Sequence, residues 1–166
     1  QHTGCTSASV VPGTTVGAGR LRQSCRARPT ALGADEAINY NDCDFADEIM
    51  KRTGKRGVDV VVEHVGGDFL DKSIRCLTRG GRLATVGGTK TYGCEIQVNY
   101  IFHKELSIIG SNSATKYDLE HMIPFLADGR LKCVIDRVFP LQEAAEAHRY
   151  LESAQQFGKV ILKIDH

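Results

Sequence analysis

The sequence predicts an α/β fold, a doubly wound and mostly parallel sheet whose first half is incomplete. Three observations carry that prediction. From Ala31 onward, short β-branched runs alternate with amphipathic segments, the pattern that builds strand–helix–strand units. The connections between them are short and carry glycine. The run Val58–Val65 holds five β-branched valines in eight residues, as expected of a strand covered on both faces. Right-handed crossovers then set the strand C-termini along one edge, where such sheets take ligands.

Each element follows from its own residues. Residues 1–30 are rich in Gly, Thr, Ser, Arg and Pro, and Val10-Val11 runs at once into Pro12-Gly13, so no regular element is expected there. Glu36–Tyr40 reads as a short strand. Phe45–Arg52 reads as a helix capped by Asp44 and ended by the stretch Gly54–Gly57. After Val58–Val65, the segment Asp68–Leu77 is amphipathic through Phe69, Leu70, Ile74 and Leu77. Gly80-Gly81 breaks it, and Arg82–Val86 is the next strand. A short segment around Tyr100–Lys104 precedes a strand at Leu106–Ile109. Lys116–Ala127 reads as a helix with Leu119, Met122, Ile123 and Leu126 inward, and with a kink or early break at Pro124. Asp136–Phe139 is extended, Leu141–Ala154 helical, and Lys159–Ile164 a terminal strand.

The bulk numbers exclude several functions. A chain of 166 residues holds one domain with a real core. With 21 basic and 20 acidic residues, it carries no field to gather nucleic acid or an anionic membrane. Arg20, Arg22, Arg26 and Arg28 cluster, yet no aromatic residue interleaves with them to stack on bases. No apolar run approaches the ~20 residues that span a bilayer, and no signal-peptide pattern is present, so a cytoplasmic location is expected. The six cysteines are scattered singly, Cys76 and Cys133 in apolar surroundings that suggest buried thiols, and no metal site is expected from this chain alone.

The chemistry lies in three turns. Val65 runs into Gly66-Gly67, Val86 into Gly87-Gly88, and Ile109 into Gly110-Ser111. A glycine past a strand end lets backbone approach a flat ligand, because no Cβ intervenes. Three in succession would line a slot for an extended cofactor, although glycine at any one of them taken alone reads more readily as a simple strand stop.

The residues Ala31–Glu36, Gly57–Gly67, Gly80–Gly87 and Phe157–Val160, with Phe139–His148 as a C-terminal helix, resemble the medium-chain dehydrogenase/reductase superfamily. The resemblance is to its zinc-type alcohol dehydrogenase and quinone oxidoreductase branch, and it covers residues 31–164 in order. It implies that residues 31–166 are the C-terminal part of a Rossmann-type domain. It further implies cofactor-binding roles for His64, Val65 and Gly66 beside the adenosine ribose, and for Val86, Gly87, Gly88, Ile109, Gly110 and Ser111 beside the nicotinamide carboxamide. Lys159 falls where the family sets a basic residue near the phosphates or ribose. The implied reaction is hydride transfer between NAD or NADP, with a slight preference for NADP, and an alcohol, carbonyl, enone or quinone. Any zinc would belong to a catalytic domain not represented here, and no catalytic residue is assigned; Tyr100, His103 and Lys104 offer no basis for a choice. A homodimer through the strand around Leu106–Ile109 is also implied.

One departure is large. The family's glycine-rich phosphate turn should precede Ala31, but Gly13–Gly19 lacks the G-x-G-x-x-G spacing and neither a strand nor a helix is legible around it. Residues 1–30 therefore read either as an unrelated extension or as out-of-frame translation, the latter preferred. Without that turn and a catalytic domain, the chain is expected to be inactive by itself, with an open apolar strand edge. Two alternatives stand: a nucleotide-binding or regulatory module without catalysis, and a doubly wound methyltransferase, whose early glycine loop and acidic strand end are not visible.

Overall fold

The computed structural model describes residues 8–11, 14–19, 33–89, 91–153 and 155–164, the first two segments as backbone only. The arginine cluster, Cys5, Cys25 and the Pro12-Gly13 link lie outside the described residues. The described chain divides into two compact units, one ending at Ser111 and the other beginning at Asn112.

The first unit is a six-stranded sheet flanked by helices. Its strands are β1 (Ala8–Val11), β2 (Thr14–Gly19), β3 (Glu36–Asn39), β4 (Val58–Glu63), β5 (Leu77–Thr85) and β6 (Ser107–Gly110), in the order β3-β2-β1-β4-β5-β6. That is the spatial order of a doubly wound dinucleotide-binding sheet. The pairs β2–β3, β4–β5 and β5–β6 are parallel, while β1 runs antiparallel to both β2 and β4.

The two strands within residues 1–30 correct the expectation of an irregular segment. Their residues carry little strand patterning, but β1 lies along the edge of β4, pairing Ser9 with Val61 and Val10 with Val60. Backbone hydrogen bonding, which every residue type but proline can complete, makes these strands. β1 thereby covers the edge of β4 at Val60 and Val61. The first half of the sheet remains incomplete in another sense: only two residues separate β1 from β2, so no crossover helix joins them.

Helix α1 (Phe45–Arg52) begins as its sequence dictates, with the Asp44 carboxylate accepting from Ala46 N–H at 2.9 Å and Asp47 N–H at 3.3 Å. Asp44 also pairs with Lys72 Nζ at 2.6 Å. Burial works to raise the Asp44 pKa, but the Lys72 hydrogen bond and the capping N–H groups outweigh it and hold the carboxyl below its ordinary value. Helix α2 (Asp68–Arg75) stops two residues short of the expected end, and β5 begins at Leu77 rather than Arg82. Leu77 is fully buried and pairs with Val58, so it serves the sheet; the ladder resumes at Val60–Arg82 after a bulge that contains Gly80. Lys104, which follows helix α3 (Val98–His103), fixes this junction. Its Nζ donates to Arg75 O at 2.9 Å and Leu77 O at 2.7 Å, and its carbonyl accepts from Gly80 N–H at 2.7 Å. The core joins Ile38, Phe45, Ile49, Val61, Ile74 and Leu83, with Phe69 stacked on Phe45 and set edge-on to Tyr40. Val62 is 39% exposed, so β4 is covered less completely than its run of valines suggests.

The second unit holds α4 (Lys116–Ala127), β7 (Ile135–Pro140), a 3-10 turn at Leu141–Glu143, α5 (Ala144–Glu152) and β8 (Lys159–Lys163), with β7 and β8 parallel. Thr115 and Asp118 form a reciprocal capping box at the start of α4. The helix runs through Pro124 to Ala127 without the early break. Its apolar residues are not inward: Leu119, Met122, Ile123 and Leu126 are all exposed, Ile123 by 51%. The buried hydrophobic residues described in this unit are Phe139 and Ala147, too few to make a layer for α4 to cover. Cys133, expected buried, is exposed as well.

Candidate functional site

Because β4, β5 and β6 are parallel neighbours, their C-terminal ends share one edge. The sequence-predicted residues His64, Val65, Gly66, Val86, Gly87, Gly88, Ile109, Gly110 and Ser111 all fall there. Lys159 does not join them in the first unit; it begins β8 in the second, with its N–H donated to Val134 O at 2.8 Å.

The edge is stitched by its own backbone. Val86 N–H donates to Glu63 O at 2.8 Å, Thr89 N–H to His64 O at 3.1 Å, and Ser111 N–H to Thr85 O at 2.9 Å. Val65 and Gly66 give their N–H groups to Glu63 Oε1. These donors are thus committed within the protein, which limits what the turn backbones can offer a ligand.

The glycines sort into two kinds. Gly66 has φ +74, and a Cβ on it would stand 2.2 Å from Thr91 O; one on Gly88 would meet the Tyr92 ring at 2.8 Å and Thr91 O at 3.0 Å. Both are required by the chain's own Thr91-Tyr92 segment, which bridges to Gly66 and crosses the strand ends. At Gly87 the nearest atom to such a Cβ is His64 O at 3.6 Å, and at Gly110 nothing lies within 4 Å. Gly87 and Gly110 are therefore the positions open to an approaching ring.

Sequence reasoning missed Glu63, Thr91 and Tyr92. Glu63 had a signal, a carboxylate following three successive valines in a strand. Thr91 and Tyr92 had none, because only the return of the loop over Gly66 brings them to the edge. Among the groups left without a choice, Lys104 is structural: burial lowers its pKa, and its ammonium is spent on Arg75 O and Leu77 O. Cys76 is likewise inert, its thiol pushed up to about 12 by burial. Among the described residues, no three His, Cys, Asp or Glu side chains gather to hold a metal ion.

A mostly parallel sheet in the order 3-2-1-4-5-6 with glycine-ended strands along one edge is the arrangement of a dinucleotide-binding type of domain. A family model described as zinc-binding dehydrogenase matches residues 32–162. The chain belongs to that family, in the medium-chain dehydrogenase/reductase superfamily, and corresponds to the C-terminal part of its members. It is 34% identical to a 2-haloacrylate reductase of a Burkholderia species, over 79% of this chain and 42% of that protein. It is also 34% identical to the quinone oxidoreductase of Homo sapiens, over 78% of this chain and 41% of that protein. Among solved structures, an NAD-dependent alcohol dehydrogenase superposes with a TM-score of 0.77 at 35% identity, covering 90% of this chain and 43% of that one. The chain thus spans about two fifths of the length of the relatives it matches.

Proposed function

We propose that this chain is the cofactor-binding portion of an NAD(P)-dependent oxidoreductase that moves hydride between a nicotinamide and an alcohol, carbonyl, enone or quinone. By itself it turns over little or no substrate. The observation that carries the reading is the shared edge of β4, β5 and β6, where Gly87 and Gly110 leave room for a flat ring. The residues present fit one end of the cofactor. Gly87 and Gly110 would face its nicotinamide; when bound, the nicotinamide supplies the hydride. The pyrophosphate end fits poorly, since two residues link β1 to β2 where a glycine-rich turn and a helix N-terminus would be needed. Affinity is therefore weak.

NADP is favoured slightly over NAD; one solved neighbour, at 27% identity, is a 2-octenoyl-CoA carboxylase reductase in complex with NADP and 2-octenoyl-CoA. Zinc, where the parent enzyme uses it, is held by the catalytic domain, and no step here is routed through it. A cytoplasmic location suits such a reductase, and no helix among the described residues is long and apolar enough to cross a membrane. Pairing of β6, the outer strand, with its counterpart in a second copy gives a homodimer.

A second reading, a nucleotide-binding module without catalysis, is favoured by the pairing of β1 with Val60 and Val61 of β4, which covers part of that strand's edge from within the chain. Titration with NADPH and NADH, followed by cofactor fluorescence, tests the shared premise. The expected result is weak saturable binding, tighter for NADPH; no binding of either at about 1 mM overturns both readings. Assay of quinone and enone reduction separates them once the chain is extended by the parent's upstream sequence: turnover there supports the oxidoreductase, and its absence supports the module.

A further inference from the structure

Glu63 closes β4 with 0% exposure, on a strand whose other buried residues are Val58 and Val61. A carboxyl group taken out of water among apolar side chains is costly unless its oxygens find donors. One does: Oε1 accepts from Val65 N–H at 2.6 Å and from Gly66 N–H at 2.9 Å. The other, Oε2, is buried and has no hydrogen-bond partner. A single oxygen thus gathers two successive backbone donors and curls the chain tightly past the strand end. The curl holds Gly66 at φ +74, directly beneath Thr91 O, with which Gly66 forms a bridge. The tie therefore reaches from β4 to the segment that follows β5.

We propose that Glu63 is a positioning residue, acting through Oε1 to fix the Val65-Gly66 turn and, through Gly66 and Thr91, the floor of the edge between β4 and β5. Its effect on cofactor affinity rests on the function proposed above. The requirement is for an acceptor and not for a charge, because Oε2 contributes nothing to the tie. Glutamine offers the same two N–H groups a carbonyl oxygen. Methionine fills a similar length and offers no acceptor, leaving two buried donors orphaned.

Glu63→Gln and Glu63→Met in the full 166-residue chain test this with two readouts, amide hydrogen exchange at Val65 and Gly66 and titration with NADPH. In Glu63→Gln both amides are expected to exchange within about threefold of the parent rate, with NADPH affinity within about twofold. In Glu63→Met the two amides exchange about 100-fold faster, and NADPH binds about tenfold more weakly. Parent-like exchange in Glu63→Met overturns the proposal, as does equal loss in both variants, which would make the charge the requirement. Should Glu63→Met not fold, Glu63→Asp decides: drawing the carboxylate back by one methylene is expected to speed exchange at the same amides, and parent-like rates overturn the tie. If the exchange contrast holds while the parent chain binds neither NADPH nor NADH, the tie is supported and the cofactor reading above is what fails.

Discussion

Lys104→Met probes the junction on which β5 depends. The Lys104 ammonium satisfies Arg75 O, at the C-terminal end of α2, and Leu77 O, the first carbonyl of β5. Methionine preserves the apolar stem and removes both donors. Two opposing effects set the magnitude. Loss of a hydrogen bond to a charged group costs about 1.5–3 kcal/mol, and loss of a cation at a helix C-terminus adds roughly 0.3–1 kcal/mol. Against this, the variant no longer carries a partly buried ammonium, whose desolvation is what lowers the Lys104 pKa. The net expected loss is about 2 kcal/mol, or roughly 4–8 °C in the melting temperature of a chain this size. The pH dependence fixes the sign independently. With a folded pKa below the ordinary 10.5, the unfolded chain binds more protons as pH approaches that value, so Lys104 makes the parent gain stability with rising pH there. The variant lacks that gain, and its deficit widens between neutral pH and 10.5. Calorimetric melts of parent and variant at several pH values would measure this. A loss under about 0.5 kcal/mol, or a deficit that narrows as pH rises, refutes the assignment.

Four further outcomes are expected. Gly66→Ala places a Cβ 2.2 Å from Thr91 O at positive φ and should cost about 2 kcal/mol in urea unfolding. Gly110→Ala meets nothing within 4 Å and should leave stability within about 0.5 kcal/mol while weakening NADPH binding. Asp44→Ala removes the α1 cap and the partner of Lys72, for about 1–2 kcal/mol in the same assay. The Asp44 pKa is depressed, so its contribution is present above 3.8 and lost as pH falls through the folded value; the parent and variant should converge in acid. Cys76, with its thiol at about 12 and its side chain buried, should resist alkylation at pH 8 while Cys43 and Cys133 react, as peptide mapping by mass would show.

Legibility in the sequence followed the range of the forces involved. Helix α1 could be read to the residue because Asp44, its cap, is a local signal. Strand β4 was legible from its valines, since burial imposes composition. Strands β1 and β2 were not, because pairing along β4 asks little of side chains. The start of β5 was misjudged because Gly80-Gly81 normally punctuates a helix; a bulge held by Lys104 O put that pair inside a strand instead. The face of α4 was misjudged in the opposite way, since apolar spacing shows that a surface is suited to burial without showing what covers it. At the edge, the three glycine turns were legible, but not that Thr91 and Tyr92 already account for two of those glycines.

Coverage of β4 by β1 also governs how copies of the sheet can associate. With the interior strands all paired, only β3 and β6 lie at the outside of the six. Two copies joined β6 to β6 about a twofold axis form a closed pair, because each consumes the same strand on the other. Joining β6 of one copy to β3 of the next uses unlike surfaces and leaves one of each free, so growth continues without closure. Were copies to pair through the sheet, the choice between a discrete dimer and an open filament would rest on the relative strand-pairing strength of two four-residue segments, Ser107–Gly110 and Glu36–Asn39. Glu36 already sits in an ion pair with Arg52 at the second of these, a charge placed where it opposes strand addition.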